Sequence, residues 1–198
     1  MAPVNPLSHL QKYRIVLASA SPRRKELLSM LGLRFEVMPA PVDNEDYPPE
    51  TPVEYIPEYL ARKKAEACDF GDNTLVITAD TVVVVGNKVL GKPSDSAEAL
   101  EMLSELSGST HRVITGVAIK TPFTVMSFSA VTEVSFARLT DNEKEWYVST
   151  YQPFDKAGAY GIQEWIGCIG VTGITGSYYN VMGLPLHRLY TLLTRLSL

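Results

Sequence analysis

The chain has 198 residues, of which 45% are hydrophobic and 20% are charged, and its formal net charge is -4 at pH 7. These values are typical of a globular protein that can bury a sizeable core. They argue against a nucleic-acid polymer as partner, because duplex binding needs a broad basic face. No apolar run approaches the roughly 18–20 residues of a membrane span, and the N-terminal stretch MAPVNPLSHLQKYR lacks the apolar core of a signal peptide.

The two cysteines, Cys68 and Cys168, lie far apart and form neither a disulfide framework nor a CxxC metal pair. We therefore expect both to be buried free thiols, which suits a reducing compartment. The sequence predicts a soluble, cytoplasmic protein that does not bind membranes. Residues 1–198 are expected to form a single domain, in which residues 1–12 are a poorly ordered N-terminal extension.

The first predicted elements alternate between strands and helices, as hydrophobic periodicity and capping residues indicate. In chain order they are a strand at 14–18, a helix at 22–31 closed by Gly32, a strand at 34–38, a loop at 40–52 and a helix at 57–68. Residues 75–85 then form a β-branched run that Asp80 interrupts. Gly86 and Asn87 predict a two-residue hairpin turn to a strand at 88–90.

The second half is predicted to be richer in strands. A helix at 94–106, capped by Ser94 or Asp95, is followed by two antiparallel strands at 110–120 and 124–138. The later predictions are a short helix that begins with a capping box at 140–143 and ends at Val148, an irregular glycine-rich segment at 155–176, and a terminal helix at 184–196. This order predicts an α/β fold with a mixed sheet.

The stretch LASASPRRKELL, residues 17–28, is the most informative of the chain. Ser21 is a natural N-cap and Pro22 suits the first helical position, which places Arg23 and Arg24 in the first turn. That turn carries unpaired N–H groups and a partial positive charge, so it disfavours bases unless an anion binds there. The stretch therefore predicts a phosphate or carboxylate site rather than a solvated basic turn.

Asp80 is the second candidate, because aspartate is disfavoured inside strands and a buried carboxylate needs a partner or a metal. At the end of a strand that lines a cleft, it could bind Mg²⁺ or take a proton from water. A turn aspartate bonded to its own backbone fits the local pattern equally well.

Residues 86–93, GNKVLGKP, nearly match the phosphate-loop pattern GxxxxGK[ST]. We reject that interpretation, because a β-turn occupies the first glycine and Pro93 stands where a hydroxyl residue is needed. Lys92 is then either a single functional cation or a solvated lysine.

The third candidate is DKAGAYGIQ, residues 155–163. Gly158 and Gly161 permit close backbone approach, and Lys156 adds a charge. Gln163 offers both a donor and an acceptor, which is what a site needs to read a base edge. The alternative is a glycine-rich connection whose polar residues bond the backbone.

LASASPRRKELL, Ala79-Asp-Thr81, Leu90-Gly-Lys-Pro93 and DKAGAYGIQ together resemble the Maf family in type and order. Leu106-Ser-Gly108, Thr115-Gly-Val117 and Val181-Met-Gly-Leu-Pro185 extend the resemblance from about Arg14 to Leu196. It implies an α/β fold similar to that of the inosine triphosphatases, with a mixed twisted sheet, flanking helices and a central cleft. It also implies a nucleoside triphosphate pyrophosphatase, which releases a nucleoside monophosphate and pyrophosphate and uses Mg²⁺ or Mn²⁺.

The resemblance further implies roles for single residues. Asp80 would be the catalytic base and a metal contact. The substrate-binding residues would be Ser19, Arg23, Arg24, Lys64, Thr81, Lys92, Lys156 and Gln163. Of these, Arg23, Thr81 and Gln163 would help to select the nucleobase. The stretch KAGAYGIQ resembles the corresponding sequence in the branch of the family that acts on dTTP and UTP.

One position departs from the family, which usually has a glutamate where this chain has Asn44. Asp43 or Glu45 is expected to supply the missing metal ligand. If neither does, the alternative is a nucleotide-binding regulator with little turnover. A structural or interaction domain is a third, independent hypothesis.

The expected partner is a small nucleotide, and a homodimer is compatible with the family. The residues do not separate dTTP from UTP, CTP or modified pyrimidine nucleotides.

Overall fold

The computed structural model describes residues 4–42 and 46–196. The strands are β1 (Arg14–Leu17), β2 (Glu36–Val37), β3 (Thr74–Val85), β4 (Lys88–Leu90), β5 (Thr110–Lys120), β6 (Val125–Phe136) and β7 (Val171–Thr175). The helices are α1 (Pro22–Ser29), α2 (Ile56–Ala67), α3 (Ser96–Leu106), α4 (Asp141–Tyr151), α5 (Trp165–Gly170), α6 (Tyr178–Met182) and α7 (Leu186–Arg195).

The strands form one mixed sheet in the order β2-β1-β3-β5-β6-β7, with β4 paired to β3. β1 runs parallel to both of its neighbours, so that Leu17 lies opposite Val37 on one side and Ile77 on the other. The pairs β3–β4 and β6–β7 are antiparallel. The predicted α/β class with a mixed sheet is therefore confirmed.

The chain divides into two compact units. The first comprises the described residues of 4–80, 115–130 and 183–196, and the second comprises residues 81–114 and 131–182. The chain passes from one unit to the other within β3, β5 and β6. A single domain over residues 1–198 stays a prediction. None of the helices formed by the described residues has the length and apolar character needed to cross a membrane.

The N-terminal segment is packed in the described residues. Residues 8–12 form a 3-10 helix, and Leu7 and Leu10 are fully buried. The imidazole Nε2 of His9 lies 3.2 Å from the carbonyl oxygen of Leu193. This differs from the poorly ordered extension expected over residues 1–12, because burial of two leucines contributes several kcal/mol, about 1.5–3 each, toward holding the segment in place.

Local capping and turn signals predicted the starts of α1, α3 and α4 correctly, although α4 runs to Tyr151 rather than ending at Val148. Ser21 Oγ accepts a hydrogen bond from the Arg24 amide at 3.4 Å, and Asp95 caps α3 through the Glu98 amide. The predicted capping box at the start of α4 is present. Val85 pairs with Lys88, which confirms the two-residue hairpin turn.

Two expectations were wrong where glycine or charge disturbed the hydrophobic pattern. Asp80 does not end a strand, because β3 continues through it from Thr74 to Val85. The segment 155–176 is not irregular throughout, since it contains α5 and β7. Both cysteines are free as expected, but Cys168 is exposed and only Cys68 is buried.

Helix α2 packs directly on β5 within the first unit. A Cβ atom at Gly116 would lie 2.2 Å from backbone atoms of Pro57 and Glu58, so only glycine allows this approach. The Thr78 hydroxyl of β3 donates to the carbonyl of Ala61 at 2.6 Å. Small buried side chains complete the contact: Ala61, Ala65 and Ala118. The helix is thereby held close to the sheet.

His111 is buried in the second unit, with only 1% of its surface exposed. Its Nε2 lies 2.8 Å from the Tyr160 hydroxyl, and its ring makes edge contacts with Phe136 and Tyr160. Its Nδ1 has no hydrogen-bond partner among the described residues. Burial lowers the pKa of His111 to about 4, so the folded protein holds it neutral.

We expect the free energy of unfolding to fall as the pH drops from about 6.5 to about 4, because the unfolded chain binds a proton that buried His111 excludes. The loss from this group approaches about 3 kcal/mol at the acid end. Urea unfolding at several pH values should show a shallower pH dependence for His111→Gln than for the wild type. His187→Gln, at an exposed position, is the control, and an unchanged slope in His111→Gln would contradict the prediction.

Candidate functional site

A buried ion pair between α2 and β3 lies in the first unit. Asp80 is 6% exposed, and its Oδ1 accepts a hydrogen bond from the Lys64 ammonium. A carboxylate this deep needs such a partner, because burying an unpaired charge is very costly. The alternative of a turn aspartate is wrong, since Asp80 lies inside a strand and its side chain is bound to α2.

The helical period explains how Lys64 reaches Asp80. Leu60, Ala61 and Ala65 are the buried positions of this part of α2. Lys64 follows Leu60 by four residues and Ala61 by three, so all of them share one face of the helix. Sequence reasoning took Lys64 from the family resemblance, although a lysine on an apolar helix face was itself a usable signal.

The predicted phosphate-binding residues follow β1 in the same unit. The Ala18 amide donates to the Ile77 carbonyl at 2.8 Å, so Ser19 comes just after the last β1–β3 hydrogen bond. Ser19 is buried, and its hydroxyl accepts a bond from the Ser21 amide at 3.2 Å. Arg24 Nε donates to the Gly183 carbonyl at 2.9 Å. Arg23 and Arg24 lie in the first turn of α1 as predicted, and their binding of an anion stays a prediction.

The other predicted substrate residues belong to the second unit. Thr81 is half-buried in β3, whereas Lys92 and Gln163 are exposed. The Gly158 amide donates to the Gly91 carbonyl at 3.0 Å, which brings the segment around Lys92 beside DKAGAYGIQ. Gly158 has a φ of +69°, and a Cβ there would lie 2.9 Å from Val83, so this turn requires glycine.

Lys156 is held by carboxylates. Its ammonium lies 2.7 Å from Asp155 Oδ1 and 3.1 Å from Glu164 Oε1, and the residue is 7% exposed. The Tyr147 hydroxyl donates to Glu164 Oε2 and accepts a bond from the Gly161 amide at 3.0 Å. Burial, and then the bond to Glu164, raise the pKa of Tyr147 far above its usual value, so the phenol stays a donor.

Sequence reasoning missed Tyr147 and Glu164. Tyr147 lies on the buried face of α4, next to Val148. A buried tyrosine hydroxyl usually finds a partner, so a tyrosine on the apolar side of a helix was the available signal. Nothing in the sequence indicated which partner it takes.

The expected metal ligands are only in part described. Asp43 and Glu45 lie outside the described residues. So does Asn44, which stands where the family usually has a glutamate and is the reason that Asp43 or Glu45 is expected to bind the metal. Within residues 4–42 and 46–196, no three His, Cys, Asp or Glu side chains gather into a metal site. Mg²⁺ is usually bound by one or two carboxylates together with substrate phosphates. The Asp80 carboxylate fits that kind of site.

Comparison with known proteins places these observations in a family. The family model described as Maf-like protein matches residues 14–196. The chain belongs to the Maf family. This confirms the resemblance drawn from the sequence motifs, which was expected to run from about Arg14 to Leu196.

Relatives of this Maf protein match more than nine-tenths of its length. It is 55% identical to a dTTP/UTP pyrophosphatase of Phocaeicola vulgatus, over 96% of this chain and 100% of the relative. It is 54% identical to one of Porphyromonas gingivalis, over 93% and 94% of the two chains. A solved HAM1 protein from Coxiella burnetii has the same fold, with a TM-score of 0.51 at 18% identity, over 93% of this chain and 100% of that chain.

Removing the Lys64 ammonium should destabilise the protein strongly, because it leaves the buried Asp80 carboxylate unpaired. We expect Lys64→Met to lower the free energy of unfolding by about 3–5 kcal/mol, and Lys64→Met with Asp80→Asn to recover most of that loss. Urea denaturation at pH 7 measures both.

The matched control is Lys63→Met, since the Lys63 ammonium bonds the exposed Asp46 carbonyl. We expect it to change stability by less than about 0.5 kcal/mol. Equal effects of Lys63→Met and Lys64→Met would contradict the importance of the buried pair.

Proposed function

We propose that this Maf protein hydrolyses nucleoside triphosphates to a nucleoside monophosphate and pyrophosphate, with dTTP and UTP as its substrates. The observation that carries the proposal is the identity of 54–55% to relatives named dTTP/UTP pyrophosphatase, over more than nine-tenths of this chain. Their names favour turnover over a regulator or an interaction domain. The buried Lys64–Asp80 pair supports the proposal, because such a pair is often no better for stability than apolar residues and a chemical role explains it.

The phosphates are proposed to bind the residues that follow β1. A nucleoside triphosphate carries about four negative charges, and its hydrolysis depends mainly on charge neutralisation and on an oriented water. Ser19, Arg23 and Arg24 would hold the phosphates, with Lys64 and Lys92 as further cations. A guanidinium has five N–H donors, so the bond from Arg24 to Gly183 orients the side chain and still permits phosphate binding.

Asp80 is proposed to accept the proton of the attacking water. The water oxygen forms a bond to the α-phosphorus, the bond from this phosphorus to the α–β bridging oxygen breaks, and pyrophosphate leaves. A carboxylate has two oxygens, so Asp80 can contact Lys64 through Oδ1 and act through the other. When bound, Mg²⁺ or Mn²⁺ would neutralise phosphate charge, with Asp80 and either Asp43 or Glu45 as its protein ligands.

Base choice is proposed to depend on Arg23, Thr81 and Gln163. The amide of Gln163 is exposed and can both donate and accept, as reading a pyrimidine edge requires. A direct contact of Lys156 with substrate, the cytoplasmic location and a homodimer also stay predictions.

The proposed function is tested with purified protein, Mg²⁺ or Mn²⁺, and a panel of UTP, dTTP, CTP and GTP. We expect pyrophosphate rather than phosphate as product, fastest from dTTP and UTP, and no turnover in excess EDTA. Absence of pyrophosphate release from every nucleotide with either metal would overturn the proposal.

Asp80→Asn should lower the rate of pyrophosphate release by about 10²–10⁴-fold, because it removes the general base. Asp72→Asn is the matched control, as Asp72 is an exposed acid just before β3, and it should keep the wild-type rate. A kinetic assay at saturating UTP measures both variants. A fully active Asp80→Asn variant would show that another group accepts the proton.

A further inference from the structure

The turn that carries Gln163 is closed in two ways within the second unit. The Glu164 amide donates to the Gly161 carbonyl at 3.0 Å, which joins the two ends through the backbone. The Tyr147 hydroxyl joins the same two ends a second time, since it accepts from the Gly161 amide and donates to the Glu164 carboxylate. Gln163 thus lies between two residues that one phenol holds together.

The closure is buried and tightly packed. Tyr147 is fully buried, and a Cβ at Gly161 would lie 2.7 Å from the Glu164 carboxyl carbon. The other oxygen of Glu164 is paired with Lys156, which contacts Asp155 as well. The side chains that fix the turn are therefore themselves fixed, whereas Gln163 is exposed.

We propose that Tyr147 and Glu164 are positioning residues for nucleobase selection, which hold the Gln163 amide in the orientation that accepts a pyrimidine nucleoside triphosphate. This inference rests on the proposed function and deepens it. Tyr147 is too buried to contact the base, so its effect passes through the Gly161–Glu164 turn.

The physical reason is preorganisation. A turn that has to be ordered when substrate binds costs conformational entropy, whereas a turn already fixed in the free protein does not. Loss of the Tyr147 hydroxyl leaves the Gly161 amide and Glu164 without this partner and loosens the turn. The effect falls on recognition of the base, so it should raise KM for pyrimidine substrates and leave kcat, which depends on the phosphates and Asp80, nearly unchanged.

The test compares Tyr147→Phe with Tyr151→Phe. Tyr151 lies one turn further along α4, its ring stacks on that of Tyr147 at 5.1 Å, and it is 37% exposed. Each substitution removes the hydroxyl of one ring of this stacked pair. We expect Tyr147→Phe to raise KM for UTP by about five- to tenfold, to lower the preference for UTP over GTP by a similar factor and to change kcat by less than about twofold. Tyr151→Phe should match the wild type.

Glu164→Gln is the second variant, because it keeps an acceptor for Tyr147 but removes the charge that faces Lys156. It should show the same shift of KM and preference to a smaller extent. A merely structural role would lower the active fraction, which reduces kcat equally for all nucleotides and moves neither KM nor the UTP-to-GTP ratio.

Coupling to Gln163 completes the experiment. If Tyr147 acts through Gln163, then Tyr147→Phe should have no further effect on base preference once Gln163→Ala is present. Unchanged preference in Tyr147→Phe, or full additivity with Gln163→Ala, would overturn the inference and leave the proposed function standing. A wild-type protein that hydrolyses none of the nucleotides would instead overturn the proposed function, and the inference with it.

Discussion

The first unit depends on one buried charge. Asp80 lies inside a β-strand, where a carboxylate is stable only with a partner, and that partner is the Lys64 ammonium of α2. The ion pair therefore requires α2 to lie close to the sheet. Glycine at position 116 and the alanines of the interface permit that distance. The packing of this unit and its proposed chemistry thus arise from the same requirement.

In the second unit, one turn depends on a buried hydroxyl that bonds a carboxylate and a backbone amide. The hydroxyl of Tyr147 is fully buried and has its partners in the turn 161–164. The ammonium of Lys156 contacts Asp155 and Glu164, and its contact with substrate stays a prediction. In this motif the Lys156 ammonium supports the turn, whereas Gln163 is exposed, as is Asp155.

The sequence predicted most local structure because the relevant forces act over a few residues. The N-cap at Ser21, the capping box at the start of α4 and the hairpin turn after β3 all depend on neighbours in the chain. The four motifs also identified the family. The expected end of a strand at Asp80 was wrong, because β3 continues through it. An aspartate in a sequence indicates a strand end unless its partner from another element, here Lys64, is known. Likewise, the role of Tyr147 depends on residues 14 and 17 positions away.

The close approach at Gly116 has a consequence for recombination among Maf proteins. The backbone at Pro57 and Glu58 occupies the space that any side chain at 116 would fill. The two segments are therefore matched in shape, although Glu58 and Gly116 lie 58 positions apart in the chain. Hybrid enzymes assembled from two relatives should therefore inherit α2 and β5 from the same parent. Crossovers before α2 or after β5 would leave this fit intact.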